Sequence, residues 1–519
     1  MPISSLAGIV RAHGSARPHA PALEYEGRTI SFGELDARSS RVANALAAAG
    51  VREQHRVAFV DKNGPAFFEL VFGLGKLNAV IVAVNWRLAP AEMAQIIGDA
   101  QAEIVIVGPE FVAHIEKVRD ELTNVRTIVA IGGHEQWEDY EAWLGAQQAI
   151  DPGADTAPDD VALQLYTSGT TGLPKGVMLT NDNFFGMATR VTSSWRLDEE
   201  SVNLAVMPMF HIGGSGWALI GLYYGCRTVL LRDVDPARIL EVIAEFGVTN
   251  ALLVPAIIQF LLMSPEVEAT DLSTLRAIVY GAAPITDTVL ARGMETFGCE
   301  FIQVYGLTET TGAIIQLDAA DHDPVGRPDL LRSCGKPYPW VEVRVVDRET
   351  GEDLPDGQVG EFWTRSRQNM KGYWNNPAAT GAAITADGWL KTGDAGYRDP
   401  DGFLFLHDRV KDMVVSGGEN IYPAEVENVL MKHPDITDVA VIGVPDDRWG
   451  EAVKAVVVRR EGSAVSALDV ITFAREHLAG YKLPKSVDFT DALPRNPSGK
   501  LLKREIRAPY WEGSERQIS

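Results

Sequence analysis

Cysteine is scarce in this chain. Its 519 residues include three, Cys226, Cys299 and Cys334, far apart and without a CxxC or Cys/His metal spacing. That pattern argues against a disulfide framework or a structural zinc site. It fits reduced, partly buried thiols in a cytoplasmic protein. Basic charge is also short: 47 Lys and Arg face 70 Asp and Glu, a formal net charge of −23. A general nucleic-acid binder needs a basic surface to displace phosphate counterions, so that class is set aside. Long apolar runs are missing. The most apolar stretch, Leu70–Val84, is broken by Lys76 and Asn78, and no segment reaches the length of a transmembrane helix. The first residues, Met1 to Arg11, lack a basic start and a sustained apolar run, so no signal peptide is expected. There are no long-period repeats and no low-complexity tail.

What is present is an ordinary globular mixture, 46% hydrophobic and 23% charged. Ser31-Phe32-Gly33-Glu34 has capping-box spacing. Leu35, Val42 and Leu46 follow at helical intervals, and Gly50 suits a helix end. Short apolar runs then recur between helical stretches: Val57–Val60, Ala79–Val84, Glu103–Val107, Arg227–Leu231, Ala251–Val254, Arg276–Tyr280 and Glu300–Val304. This alternation predicts an α/β fold, with helices layered on mostly parallel sheets. Past residue 320 turns become denser (Asp356-Gly357, Asp387-Gly388, Asp401-Gly402), which predicts a β-rich subdomain over about 320–409. The remainder, 410–519, reads as a small α+β domain. It has a helix opened by Pro423 and strands at Val439–Val444 and Val453–Val458. A second helix carries Leu468, Ile471, Ala474 and Leu478 and is stopped by Gly480.

One segment stands out chemically: Tyr166-Thr167-Ser168-Gly169-Thr170-Thr171-Gly172-Leu173-Pro174-Lys175-Gly176, directly after the strand-like Val161–Leu165. Glycines allow close backbone approach, hydroxyls can bond phosphate oxygens, and Lys175 supplies a point charge. The GxxxxGK spacing of a Walker loop is absent. Further along stand Gly281-Ala282-Ala283-Pro284, Tyr305-Gly306-Leu307-Thr308-Glu309-Thr310, Thr392-Gly393-Asp394, Asp408-Arg409-Val410-Lys411-Asp412 and Pro494-Arg495-Asn496-Pro497-Ser498-Gly499-Lys500.

Together, in this order, these segments resemble the motifs of the adenylate-forming (ANL) superfamily: acyl-CoA synthetases, nonribosomal peptide adenylation domains and luciferases. The resemblance spans residues 166 to 500. It implies a large N-terminal AMP-binding domain (1–409) and a small mobile C-terminal domain (410–519) hinged near Lys411. Thr167, Ser168, Gly169, Thr170, Thr171, Gly172 and Lys175 would bind the phosphates of ATP. Tyr305 would stack on adenine, Thr308 would contact phosphate and Glu309 would help hold Mg²⁺. Gly281, Ala282, Ala283 and Gly306 would line the adenine and acyl pockets. Asp394 would accept from the ribose hydroxyls and Arg409 would contact ribose or phosphate. Lys500 would enter from the small domain and neutralise charge as carboxylate meets α-phosphate.

Within the superfamily the chain resembles the acyl-CoA synthetase, or fatty-acid–CoA ligase, branch. Ser416-Gly417-Gly418-Glu419-Asn420 is similar to its pantetheine channel, which assigns Gly417 and Gly418 to coenzyme A. Arg448 and Trp449, in Asp446-Asp447-Arg448-Trp449-Gly450-Glu451, could contact phosphate and supply a stacking face. His211, in Met207-Pro208-Met209-Phe210-His211, matches a position near the carboxylate. The acyl pocket is expected to draw on His211, Gly213, Tyr280 and Gly306, within Phe210–Trp217, Tyr223, Val254–Phe260, Tyr280–Ala283 and Gly306–Gly312. These segments are apolar, so a monocarboxylate is expected over a diacid. The expected reaction joins a medium- or long-chain fatty acid to coenzyme A through an acyl-adenylate. An aryl or arylpropenoic acid, or a carrier protein as acceptor, are the alternatives. The partners are then ATP, CoA and a small acid, and the sequence leaves a homodimer open.

Overall fold

The computed structural model describes residues 3–168, 174–283, 285–409, 412–416, 419–421, 423–446, 450–478, 480–495 and 501–511. For 168, 407–409, 415, 419, 420 and 450 it describes the backbone alone. The chain divides into two compact units. One comprises Met1–Leu331, Pro337–Glu342 and Thr364–Leu390. The other comprises Arg332–Lys336, Val343–Trp363 and Lys391–Ser519.

The first unit is built on two sheets. One has eight strands in the order Gly372–Tyr373, Pro174–Thr180, Val161–Ser168, Val80–Ala83, Arg56–Val60, Ile104–Val107, Thr127–Ala130 and Glu138–Asp139. Its central pairings are parallel. Arg56–Val60, Val80–Ala83 and Ile104–Val107 are buried along their whole length. That is why they read as unbroken apolar runs: helices cover both faces of a parallel sheet. The other sheet runs, within this unit, in the order Gly312–Leu317, Glu300–Leu307, Ala277–Gly281, Asn250–Leu253, Val202–Ala205, Arg227–Leu230, Pro21–Tyr25 and Arg28–Ser31. Helix Phe32–Ala48 starts as expected, the Ser31 side chain accepting from the Glu34 N–H. It buries Phe32, Leu35, Val42 and Leu46, each worth about 1.5–3 kcal/mol when fully removed from water.

The second unit carries a four-stranded sheet, Glu342–Val346, Gly360–Arg365, Leu390–Arg398 and Leu404–Arg409. It also has a five-stranded sheet built around Ile436–Asp446 and Gly450–Arg459. Of the apolar face expected for helix Pro423–Leu430 (Val426, Val429 and Leu430), Val426 and Leu430 are buried and Val429 is half-buried. The next helix needs correction. It spans Ala467–Arg475, ending before Gly480, and it buries Val470 and Ala474. Leu468 is 70% exposed. At 100° per residue Leu468 sits about 200° from Val470, so a core face through Val470 turns Leu468 to solvent. Among the described residues no helix is long and apolar enough to cross a membrane.

Candidate active site

Strands Val161–Ser168 and Pro174–Thr180 form an antiparallel pair in which Thr167 stands opposite Lys175. Gly169, Thr170, Thr171 and Gly172, predicted as phosphate ligands, lie outside the described residues, as does the side chain of Ser168. Strand Glu300–Leu307 leads into a 3₁₀ turn, Thr308–Thr310, and the chain returns antiparallel as Gly312–Leu317. The turn is tied by Thr310, whose Oγ1 accepts from Leu307 N at 2.8 Å and donates to Gly312 O at 2.7 Å. Gly306 is obligatory here, because a Cβ would lie 1.9 Å from the Gly312 carbonyl oxygen. The Glu309 carbonyl accepts from Met370 N at 2.8 Å.

With its backbone pinned in this way, Glu309 directs its carboxylate at two hydroxyls. Oε1 accepts from Tyr373 at 3.0 Å and, at a longer 3.4 Å, from Thr167 Oγ1. Lys175 Nζ lies 5.0 Å from the Tyr373 ring centroid. Thr167 and Lys175, from one motif, are thus brought together with Glu309 from another, and Thr308 sits half-buried in the same turn.

Alongside, strand Ala277–Gly281 pairs in parallel, with Gly281 opposite Val304. A Cβ at Gly281 would stand 2.1 Å from the Val304 carbonyl oxygen. Ala282 follows with φ of +66°, a left-handed conformation that is uncommon for alanine. Ala283 continues the turn, and Tyr305, which follows Val304 in its strand, is 8% exposed. Tyr280 goes elsewhere. It is 1% exposed within the sheet–helix core, packed on Phe301. Its hydroxyl meets His322 Nε2 at 2.9 Å, while His322 Nδ1 donates to the Asp318 carbonyl at 2.8 Å.

His211 closes the loop after strand Val202–Ala205 and opens helix Ile212–Tyr224. Asn63, 3% exposed, clamps that loop. Its Nδ2 faces the carbonyls of Val206 (3.3 Å), Met207 (3.1 Å) and Leu231 (3.1 Å), and its Oδ1 accepts from Met209 N (3.1 Å). Gly214 lets the helix start close behind, since a Cβ would fall 2.1 Å from Pro208 O. A Cβ at Gly213 would make one ordinary contact, with Leu252 Cδ2 at 3.9 Å. The His211 ring lies 4.4 Å from that of Phe210. Its Nε2 is buried without a hydrogen-bond partner among the described residues. Burial, and secondarily the positive charge of Arg87, push its pKa down to about 4, so the imidazole is neutral at pH 7. The Arg87 guanidinium packs over the Trp86 ring at 4.5 Å.

In the second unit Asp394 and Arg409 are direct partners across strands Leu390–Arg398 and Leu404–Arg409. Asp394 is 6% exposed. The turn before it is fixed by Thr392 Oγ1, which donates to Phe362 O and accepts from Asp394 N, and by Gly393 N donating to Glu361. The side chain of Arg409 lies outside the described residues, as do Lys411, Gly417, Gly418, Arg448, Trp449 and Lys500 entirely.

This geometry agrees with what the chain is similar to. A family model described as AMP-binding enzyme matches residues 10–374, and one described as AMP-binding enzyme C-terminal domain matches 425–500. The chain belongs to the AMP-binding enzyme family. A relative over its full length is the fatty acid–[acyl-carrier-protein] ligase ScoC of Streptomyces coeruleorubidus, 40% identical over 100% of this chain and 98% of that one. Feruloyl-CoA synthase of Amycolatopsis sp is 38% identical over 95% and 96%. Among solved structures, ATP-bound MatB from Rhodopseudomonas palustris superposes with a TM-score of 0.89 at 31% identity, covering 98% and 99%. This AMP-binding enzyme is an ATP-dependent, AMP-forming ligase of the acid–CoA ligase family.

Tyr373 and Asn63 escaped the sequence reading. Tyr373 sits in Lys371-Gly372-Tyr373-Trp374-Asn375, where adjacent aromatics after a glycine carry no chemical signature of their own. The partners of Asn63 are more than a hundred residues away in sequence, so no local pattern could reveal it.

Proposed function

We propose that this enzyme activates an apolar monocarboxylic acid, a medium- or long-chain fatty acid, as the acyl-adenylate and then transfers the acyl group to coenzyme A. The observation that carries the adenylating half is that Glu309, from the Tyr305–Thr310 motif, meets Thr167 and the Tyr373 side chain that holds Lys175, Thr167 and Lys175 both coming from the Tyr166–Gly176 motif. A hydroxyl and an ammonium suit the phosphates of ATP. Glu309 offers one carboxylate, and among the described residues no group of three or more His, Cys, Asp or Glu could hold a metal by itself. That fits Mg²⁺, which is commonly held by one or two carboxylates with substrate phosphates and water. When bound, Mg²⁺ neutralises phosphate charge. Lys500 would neutralise charge as the substrate carboxylate attacks the α-phosphorus and pyrophosphate leaves. The C-terminal residues 410–519 then turn about Lys411, so that Gly417 and Gly418 serve the pantetheine arm, and the CoA thiol attacks the acyl-adenylate and releases AMP. Asp394 accepts from the ribose hydroxyls throughout, with Arg409 beside it.

For the acid, the support lies at His211. The neutral imidazole offers no charge to a second carboxylate at pH 7, and the neighbouring wall is aromatic, with the Arg87 guanidinium lying over its Trp86 and Phe210 rings. Gly213 has no side chain there, and a Cβ in its place would touch the apolar Leu252 alone, which suits an apolar chain. A second reading, transfer to a carrier protein, is favoured by the 40% identity to ScoC. An aryl acid is favoured by the likeness to feruloyl-CoA synthase. The test is incubation with ATP, Mg²⁺ and octanoate, palmitate, benzoate or coumarate, with and without CoA, followed by mass spectrometry. A fatty acyl-CoA upholds the proposal. Acyl-adenylate without thioester moves the acceptor to a carrier protein, and a higher kcat/KM for an aryl acid overturns the substrate assignment.

A further inference from the structure

Tyr373 touches both charges of the phosphate-binding site. Its strand, Gly372–Tyr373, pairs with Pro174–Thr180, so it belongs to the same sheet as Lys175. Backbone bonds on either side fix it: Lys371 N to Met178 O at 3.0 Å and Trp374 N to Gly176 O at 2.7 Å. The Thr380 hydroxyl accepts from Tyr373 N at 2.9 Å. Gly372 is at φ of +147°, and a Cβ there would meet Thr380 Cγ2 at 2.8 Å. From this fixed position the ring face takes the Lys175 ammonium, 5.0 Å from the centroid, and the hydroxyl donates to Glu309 Oε1 at 3.0 Å.

Lys175 and Glu309 make no ion pair with one another. An ammonium on a strand and a carboxylate on the adjoining 3₁₀ turn of a half-buried site would ordinarily close on each other. Doing so would use up the cation needed for phosphate and the anion needed for a divalent metal. We propose that Tyr373 is a positioning residue that keeps these two charges apart and available, the ring holding the lysine and the hydroxyl orienting the glutamate. The second carboxylate oxygen of Glu309 then remains free of Tyr373. The inference rests on the adenylating reading of the site.

The two halves of the role separate by substitution. Tyr373→Phe keeps the ring and removes the hydroxyl. ATP binding by calorimetry in EDTA stays at the wild-type level. The Mg²⁺ concentration that gives half of the full enhancement of ATP binding rises about tenfold, the scale of a lost hydrogen bond to a charged group. Tyr373→Leu opens the gap, so Lys175 pairs with Glu309 and ATP affinity in EDTA itself falls about fivefold. Adding Glu309→Gln to the leucine variant restores that metal-free affinity, because the competing anion is gone. A metal-free restoration of this kind is not expected of a purely structural tyrosine. A phenylalanine variant with the wild-type Mg²⁺ profile, or a leucine variant that Glu309→Gln does not rescue, overturns the proposal. If the leucine variant does not fold, the phenylalanine titration decides alone. Failure of the adenylating reading would look different: wild-type protein would neither bind ATP nor exchange pyrophosphate with any acid.

Discussion

Replacing Asn63 with alanine tests whether one buried amide positions the His211 loop. The substitution removes the acceptor of the Met209 N–H and a donor group facing the carbonyls of Val206, Met207 and Leu231. The site is 3% exposed, so water replaces these bonds poorly. A buried polar group left without a partner costs about 1–3 kcal/mol. Taking about 2 kcal/mol for the local segment, amide exchange of Met209 and its neighbours should accelerate about thirtyfold relative to wild type. Hydrogen exchange read by mass spectrometry on peptides covering 205–212 measures this directly. Because the segment carries His211, the KM for the acid should rise while the KM for ATP changes little. Asn63→Asp sharpens the argument. It keeps the shape and an acceptor for Met209 but turns an anion toward three carbonyls, so it should be more disruptive than alanine at pH 8. Near pH 5 a protonated carboxyl can donate again, and exchange should slow. Variants that exchange like wild type at both pH values would refute the clamp.

Other outcomes follow from the same geometry. Gly306→Ala should abolish ATP binding measured by calorimetry, because the new Cβ meets a backbone oxygen at 1.9 Å and only a shift of the Tyr305–Glu309 segment can relieve it. Lys500→Ala should lower acid-dependent ATP–pyrophosphate exchange about 10²- to 10³-fold. The same variant should convert supplied acyl-adenylate and CoA to thioester near the wild-type rate. His211 titrates near pH 4 when folded and near 6.5 when unfolded, so below pH 6.5 the unfolded chain binds a proton that the folded chain refuses. Its contribution to stability is therefore full above pH 6.5 and lost as pH falls to 4, up to about 3 kcal/mol. His13 and His322 are depressed by burial in the same direction. The difference between wild type and His211→Phe across pH 4–7 in urea unfolding isolates the His211 share. Identical slopes would contradict the assignment.

Much of the architecture was legible because the parallel strands are buried on both faces. Val57–Val60, Glu103–Val107 and Arg276–Tyr280 stand in the sequence as apolar runs and recur as Arg56–Val60, Ile104–Val107 and Ala277–Gly281. Glycines were legible where backbones touch, as at Gly281 and Gly306, since no other residue leaves that space. Direction within a strand was harder. Tyr280 adjoins Gly281 in sequence, yet it shares the face of Ile278 and points into the helix-covered core, where His322 receives its hydroxyl. Leu468 misled for a related reason, since a short helix with several apolar residues admits more than one face. Tyr373 and Asn63 act through partners that only the folded chain brings near, and neither residue type announces that role.

The hairpin Pro21–Tyr25 and Arg28–Ser31 pairs with Arg227–Leu230, Leu23 standing opposite Thr228. It leaves the ribosome early, yet its permanent neighbour emerges only after the strands from Arg56 to Thr180 have been made. During that interval Ala22, Leu23 and Ile30, all fully buried in the finished protein, have no sheet to join. The nascent chain thus presents a sticky open edge for most of the synthesis of the first unit, a hazard of non-local strand pairing. Yield of soluble protein on overexpression should accordingly depend on chaperone supply and translation speed more than on the stability of the finished fold.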